Sequence, residues 1–180
     1  MEYQTIEKPK VFTRSWLKVC VIVLVSLLGV AFIGSAIPMD KTQAEQMLEE
    51  AKKVLPQKPS TEAIFLNNFR ASLLMTIPGI GIVLAGIILY NTGLVFGAAG
   101  ITINPPIYGP LLMLVVAITP FFWFEFLAYA AGVTQSLYLA QGILKKNIKR
   151  EIKRTVFVIA LIGLLLLLGA AVEVLFIQQA

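Results

Sequence analysis

A chain of 180 residues with 58% hydrophobic and only 14% charged residues, and a mean hydropathy of +0.83, does not have the composition of a soluble domain. It has no His and a single Cys, Cys20, which rules out a His-based triad and an intramolecular disulfide and argues against zinc, haem or any other metal or cofactor. The net charge of +5 would suggest nucleic acid in a soluble chain; here the basic residues flank apolar segments, which points to orientation in a bilayer and to no nucleic-acid partner.

The predicted fold class is all-α, a polytopic helical membrane bundle forming one integral membrane domain over residues 1–180. Backbone groups in lipid must pair internally, and the alternating short segments of a β-barrel do not appear. Met1 to Lys18 is polar and basic, with Lys8, Lys10, Arg14 and Lys18 against Glu2 and Glu7. Ser15 to Ile37 reads as the first spanning helix, about 34 Å long at the helical rise, with Trp16 as an interfacial anchor. A secretory signal is the competing reading, since Gly34, Ser35 and Ala36 loosely resemble a cleavage site. The apolar stretch and its leader are both long for a signal.

Residues 38–60 form an extracytoplasmic polar connection. Within it Ala44, Met47, Leu48, Ala51 and Leu55 share one face of a short amphipathic helix ended by Pro56 and Pro59. That face fits a lid on the bundle, or a lipid or partner surface. Thr61 to Ile77 is an apolar helix at the lower limit of spanning length and carries Asn67, Asn68 and Arg70. Pro78 and Gly79 break the chain. The next long helix, Gly79 to Gly100, has glycines at 79, 86, 93 and 100, with Gly97 between the last two. Such a stripe admits a close neighbouring helix, within the chain or across a dimer, or lines a pore. Asn91 lies beside it.

Ile101 to Pro110 reads as a loop, and Tyr108 to Thr119 is too short to span, so it is re-entrant or superficial. Pro120 to Leu144 is a spanning helix on which Glu125, Ala128, Tyr129, Gly132 and Ser136 share a face. A stripe of acid, small and hydroxyl residues belongs against protein or water. The central region shows a short helix, a proline and a long helix twice, a pattern that points either to pseudo-symmetric halves or to coincidence among prolines. Residues 145–154 (KKNIKREIKR) are the densest charge run and read as a cytoplasmic loop, or as a site for anionic lipid or an acidic partner. Thr155 to Ile177 is the last span. The count is five spanning helices plus one re-entrant or short helix, with the N-terminus inside.

The polar residues inside the bilayer suggest a cluster of Asn67, Asn68, Arg70, Asn91, Glu125 and Tyr129. Arg70 is expected to approach Glu125 directly or through one water, with Asn67 or Asn68 in the same cluster; the alternative is that Arg70 snorkels to an interface and Glu125 faces an aqueous vestibule alone. The helix-packing set is Gly79, Gly86, Gly93, Gly97 and Gly100.

The stretch FLNNFRASLLMTIPGIGIVLAGIILYNTGLVFG, followed by TPFFWFEFLAYAAG, resembles the stage II sporulation protein M family. The matching features are Asn67-Asn68, the glycines of the following helix, Asn91-Gly93, and Pro120 before Glu125. They span roughly residues 65–142. The family often carries Pro-His-Gly before its glutamate; here those positions hold Phe121 and Phe122, so a role for that histidine has no support in this chain. The resemblance implies a multi-pass cell-membrane protein that acts as a non-enzymatic scaffold for envelope-remodelling partners at the outer surface. Membrane lipid is the other expected partner, and a homodimer through the glycine-rich helix is a third. The alternative is a channel or transporter unit built on Arg70 and Glu125. An intramembrane enzyme using Glu125 and Tyr129 ranks behind both, because neither a nucleophile–base pair nor a metal-ligand set accompanies them.

Overall fold

The computed structural model describes residues 12–54 and 60–179; Lys8, Lys10, Pro56 and Pro59 lie outside them. Among the described residues there are seven helices and no strand: α1 (Arg14–Ser35), α2 (Lys41–Val54), α3 (Thr61–Met75), α4 (Gly81–Thr102), α5 (Gly109–Val116), α6 (Pro120–Leu144) and α7 (Ile148–Gln179).

α6 is the central helix. It packs against α7, α1, α3 and α4, and every residue from Ala128 to Ser136 is buried. Burial on all sides is why this helix tolerates Thr134, Gln135 and Ser136 in its middle, where they face protein groups. The outer helices bury one stripe each. In α1 it is Trp16, Val23, Leu27 and Ala31, while Leu17, Val21, Ile22, Val25 and Ile33 are exposed. Exposed apolar faces of that extent suit a lipid solvent, not water.

Helix directions follow from the contacts. Gly93 and Gly97 meet Ala31 and Ser35 in the same order, so α1 and α4 run parallel. α6 and α7 run antiparallel, with Phe121 beside Phe176 and Gln135 beside Thr155. The chain returns from α1 to α4 through α3, which runs parallel to α6.

Two turns set this arrangement. Between α3 and α4, Gly79 takes φ +75°, a conformation costly for other residues, and the Gly81 amide donates to the Ile77 carbonyl. Between α5 and α6 the axis bends by 97°. There Pro120 begins α6 and the Trp123 indole N–H donates to the Ala117 carbonyl at 2.8 Å, which satisfies an end group of α5.

The expected five spans are not met. Three helices, α1, α4 and α7, are long and apolar enough to cross a membrane, or four if the bent pair α5–α6 counts as one. α3 has only 15 residues, about 22 Å of helix against a hydrocarbon core of about 30 Å. α6 is long, but much of its length serves the protein interior and carries polar groups for that purpose.

The expected basic loop is also shorter than its charge run. α7 already begins at Ile148, so Lys149, Arg150, Lys153 and Arg154 lie on its first turns. The connection after α1 does form a helix. α2 lies on α4 with Ala44 fully buried and Met47, Leu48 and Ala51 half-buried, while its Lys and Glu side chains face outward.

Candidate functional site

Glu125 enters α6 one turn after Pro120. Because α3 runs alongside, its Asn68 reaches across: Asn68 Nδ2 donates to Glu125 Oε1 at 2.5 Å. Asn67 Nδ2 donates in turn to Asn68 Oδ1 at 3.3 Å, making a short chain of amides that ends on the carboxylate. Tyr129, one turn further along α6, is buried and set edge-on to Phe126. On the third side stands α7. Gly169 leaves room there, for a Cβ built on it would lie 3.8 Å from Glu125 Cγ and 3.3 Å from Phe124 Cβ. Half-buried Glu173 lies on the same helix between Gly169 and Phe176, both of which meet the first turns of α6.

The expected Arg70–Glu125 ion pair is not formed; no such pair occurs among the described residues. Arg70 sits two residues beyond Asn68, which turns it about 200° around the helix at 3.6 residues per turn and leaves it exposed. Asn67 is exposed as well, reaching the carboxylate only through Asn68. Asn91 is exposed on α4 and donates to the Ile87 carbonyl of its own helix at 2.8 Å. Among the glycines, a Cβ on Gly93 would collide with the Ala31 carbonyl and one on Gly97 would lie 3.0 Å from the Ser35 carbonyl, so α1 occupies that face within the chain. Gly100 abuts the Ile107 carbonyl. Gly86 faces open space, and Gly79 serves the turn.

A second polar centre escaped sequence reasoning. Trp16 Nε1 donates to Gln135 Oε1 at 3.3 Å, and Gln135 Nε2 donates to the Glu151 carbonyl at 3.2 Å and to Thr155 Oγ1 at 3.0 Å. Glu151 is buried with Arg154, whose Nη1 lies 2.7 Å from its carboxylate; Arg154 also covers the Tyr138 ring at 5.2 Å. This network ties the start of α1 to the start of α7. Its one visible signal in the sequence was a lone acid, Glu151, inside a basic run.

Two cavities flank these centres, and Glu125 lines neither. One is an apolar groove of about 340 Å³ between α1, α5 and α6, lined by Leu28, Phe32, Met113 and Trp123 among others. The other is a polar cleft of about 280 Å³ at the α6–α7 elbow. Among the described residues no group of His, Cys, Asp or Glu has the makings of a metal site.

Searches of curated proteins and of solved structures find no match to the chain. The family model described as stage II sporulation protein M matches residues 19–176, well beyond the central stretch that carries the resemblance; it takes in the Glu125 centre whole and all of the second centre except Trp16. On that match the chain, with its apolar membrane helices, belongs to the stage II sporulation protein M family.

Proposed function

We propose that this family member is a non-enzymatic scaffold of the cell membrane that holds envelope-remodelling partners at its outer face. The observation that carries this reading is the state of Glu125. Its carboxyl group is engaged by Asn68 between three helices, and it lines neither the apolar groove nor the polar cleft described above. A polar group engaged in this way supports a role in locking helices together over one in presenting a binding site. The charged outer face of α2, with Lys41, Glu45, Glu49 and Lys52, supplies a solvated surface for a partner. The basic starts of α1 and α7 lie at one end of the bundle, joined through Gln135, and by the positive-inside rule we assign that end to the cytoplasm.

One observation favours transport as the second reading: Glu125 and, on the stretch of α7 that meets the start of α6, Glu173 stand near the 97° break between α5 and α6. One experiment separates the two. The purified protein is placed in liposomes under imposed proton and sodium gradients, and a photo-crosslinker is placed at Gln46 on α2 in cells. The scaffold predicts no flux above empty vesicles and a discrete crosslink to an envelope protein. Flux that Glu125→Gln abolishes would refute it.

A further inference from the structure

The cleft at the α6–α7 elbow is lined by Tyr138, Gln141, Lys145, Asn147, Arg150 and Glu151. These side chains are rich in hydrogen-bond donors. The one carboxylate, Glu151, is already held by Arg154 at 2.7 Å and by Arg150 Nε at 3.3 Å, so the cleft keeps a positive balance with Lys145 and Arg150 at its mouth. The cleft also lies at the N-terminal end of α7, where the helix dipole favours an anion.

Two further features set this cleft apart from an ordinary basic turn. Lys146 holds φ +54°, a left-handed backbone that glycine adopts without strain, yet the position carries a cation. Just before it, Ile143 and Leu144 are left 55% and 83% exposed, so an apolar tip stands directly beside the cationic mouth. Apolar contact next to a basic cleft of about 280 Å³, roomy enough for a phosphate with its ester group, matches the two ends of a phospholipid.

We infer that the α6–α7 elbow is a binding site for a phosphate ester, with Lys145 and Arg150 engaging the phosphate and Gln141 and Asn147 donating hydrogen bonds to it. The same chemistry is offered by an anionic lipid headgroup and by a free phosphate ester, and Ile143 and Leu144 favour the lipid.

The test uses the full chain in nanodiscs and in detergent. Nanodiscs of pure phosphatidylcholine are compared with others containing phosphatidylglycerol, and binding of spin-labelled phosphatidylglycerol is read by titration. Glycerol 3-phosphate is titrated separately in detergent. The Lys145→Gln/Arg150→Gln protein is compared with Lys52→Gln/Lys53→Gln, which removes the same charge from exposed positions on α2. The elbow variant should weaken phosphatidylglycerol binding by about tenfold or more, from the loss of two phosphate-facing cations, while the α2 variant binds as wild type. Saturable binding of glycerol 3-phosphate with the same loss in the elbow variant would support the site and identify a soluble ester as its ligand. The proposal is overturned if neither ligand binds, if both variants lose binding equally, or if a polyglutamate peptide binds the elbow with no preference for anionic lipid.

Discussion

Asn68 and Glu125 lie 57 residues apart in the chain and meet at 2.5 Å, the amide of α3 donating to the carboxylate of α6. Arg70, the formal charge partner two residues away, faces outward. Removing the amide leaves a carboxylate unsatisfied among helices, which costs more than the bond itself contributes. Asn68→Leu should therefore destabilise the protein by about 1–3 kcal/mol. In a double-mutant cycle, Asn68→Leu and Glu125→Leu should couple by about 0.5 kcal/mol or more, whereas Arg70→Ala and Glu125→Leu should add. Reversible unfolding in detergent checks both cycles. Strong Arg70–Glu125 coupling would show that this contact has been misassigned.

Gln135 joins three helices with one side chain. Gln135→Leu is close in volume but cannot serve Trp16, Glu151 or Thr155. The expected loss is about 1–3 kcal/mol, because one buried donor, the Trp16 indole N–H, and two acceptors, the Glu151 carbonyl and Thr155 Oγ1, lose Gln135 as a partner together. Trp16→Phe, which keeps the ring packing and removes only one donor, should cost less. The ordering of the two unfolding midpoints is the measurement.

Arg154 and Glu151 form a buried ion pair at the base of the elbow. Arg154→Met should destabilise by about 1–3 kcal/mol, since Glu151 loses its buried partner and keeps only the more exposed Arg150 at 3.3 Å. Adding Glu151→Gln to it should recover part of the loss. Absence of any recovery in thermal unfolding would mean that Arg154 acts mainly by packing on Tyr138.

The glycines of α4 are not equivalent. Gly93→Ala should lower the unfolding temperature sharply, because the new methyl meets the Ala31 carbonyl of α1. Gly86→Ala faces open space and should be neutral or stabilising by about 0.5–1 kcal/mol from helix propensity. Equal effects at the two sites would contradict the α1–α4 packing.

Orientation is read by cysteine labelling in a Cys20→Ser background. A cysteine at Asn147 should be protected from an impermeant thiol reagent applied to intact cells, and one at Gln46 should react. The reverse pattern would invert the bundle.

The one-dimensional pattern was enough for the class of this protein. Long apolar runs in α1, α4 and α7, charge confined to their ends, and prolines at 78 and 120 locate membrane helices and breaks without reference to any neighbour, because hydrophobicity and backbone restriction are local properties. The Asn67-Asn68 pair, Glu125 and the spaced glycines likewise point to the family. Three matters depended on the tertiary structure. The number of spans did, because α3 closes after 15 residues and α5 meets α6 at a bend of 97°, so the helices as folded offer three long apolar spans, or four with the bent pair as one. The partner of Glu125 did, because the choice between Asn68 and Arg70 is a matter of the rotation of α3 about its axis, and opposite charge alone favours the wrong residue. The Trp16–Gln135–Glu151 network did, because its members lie 119 and 16 residues apart and carry no shared spacing. Periodicity says which face of a helix is buried; only packing says what that face meets.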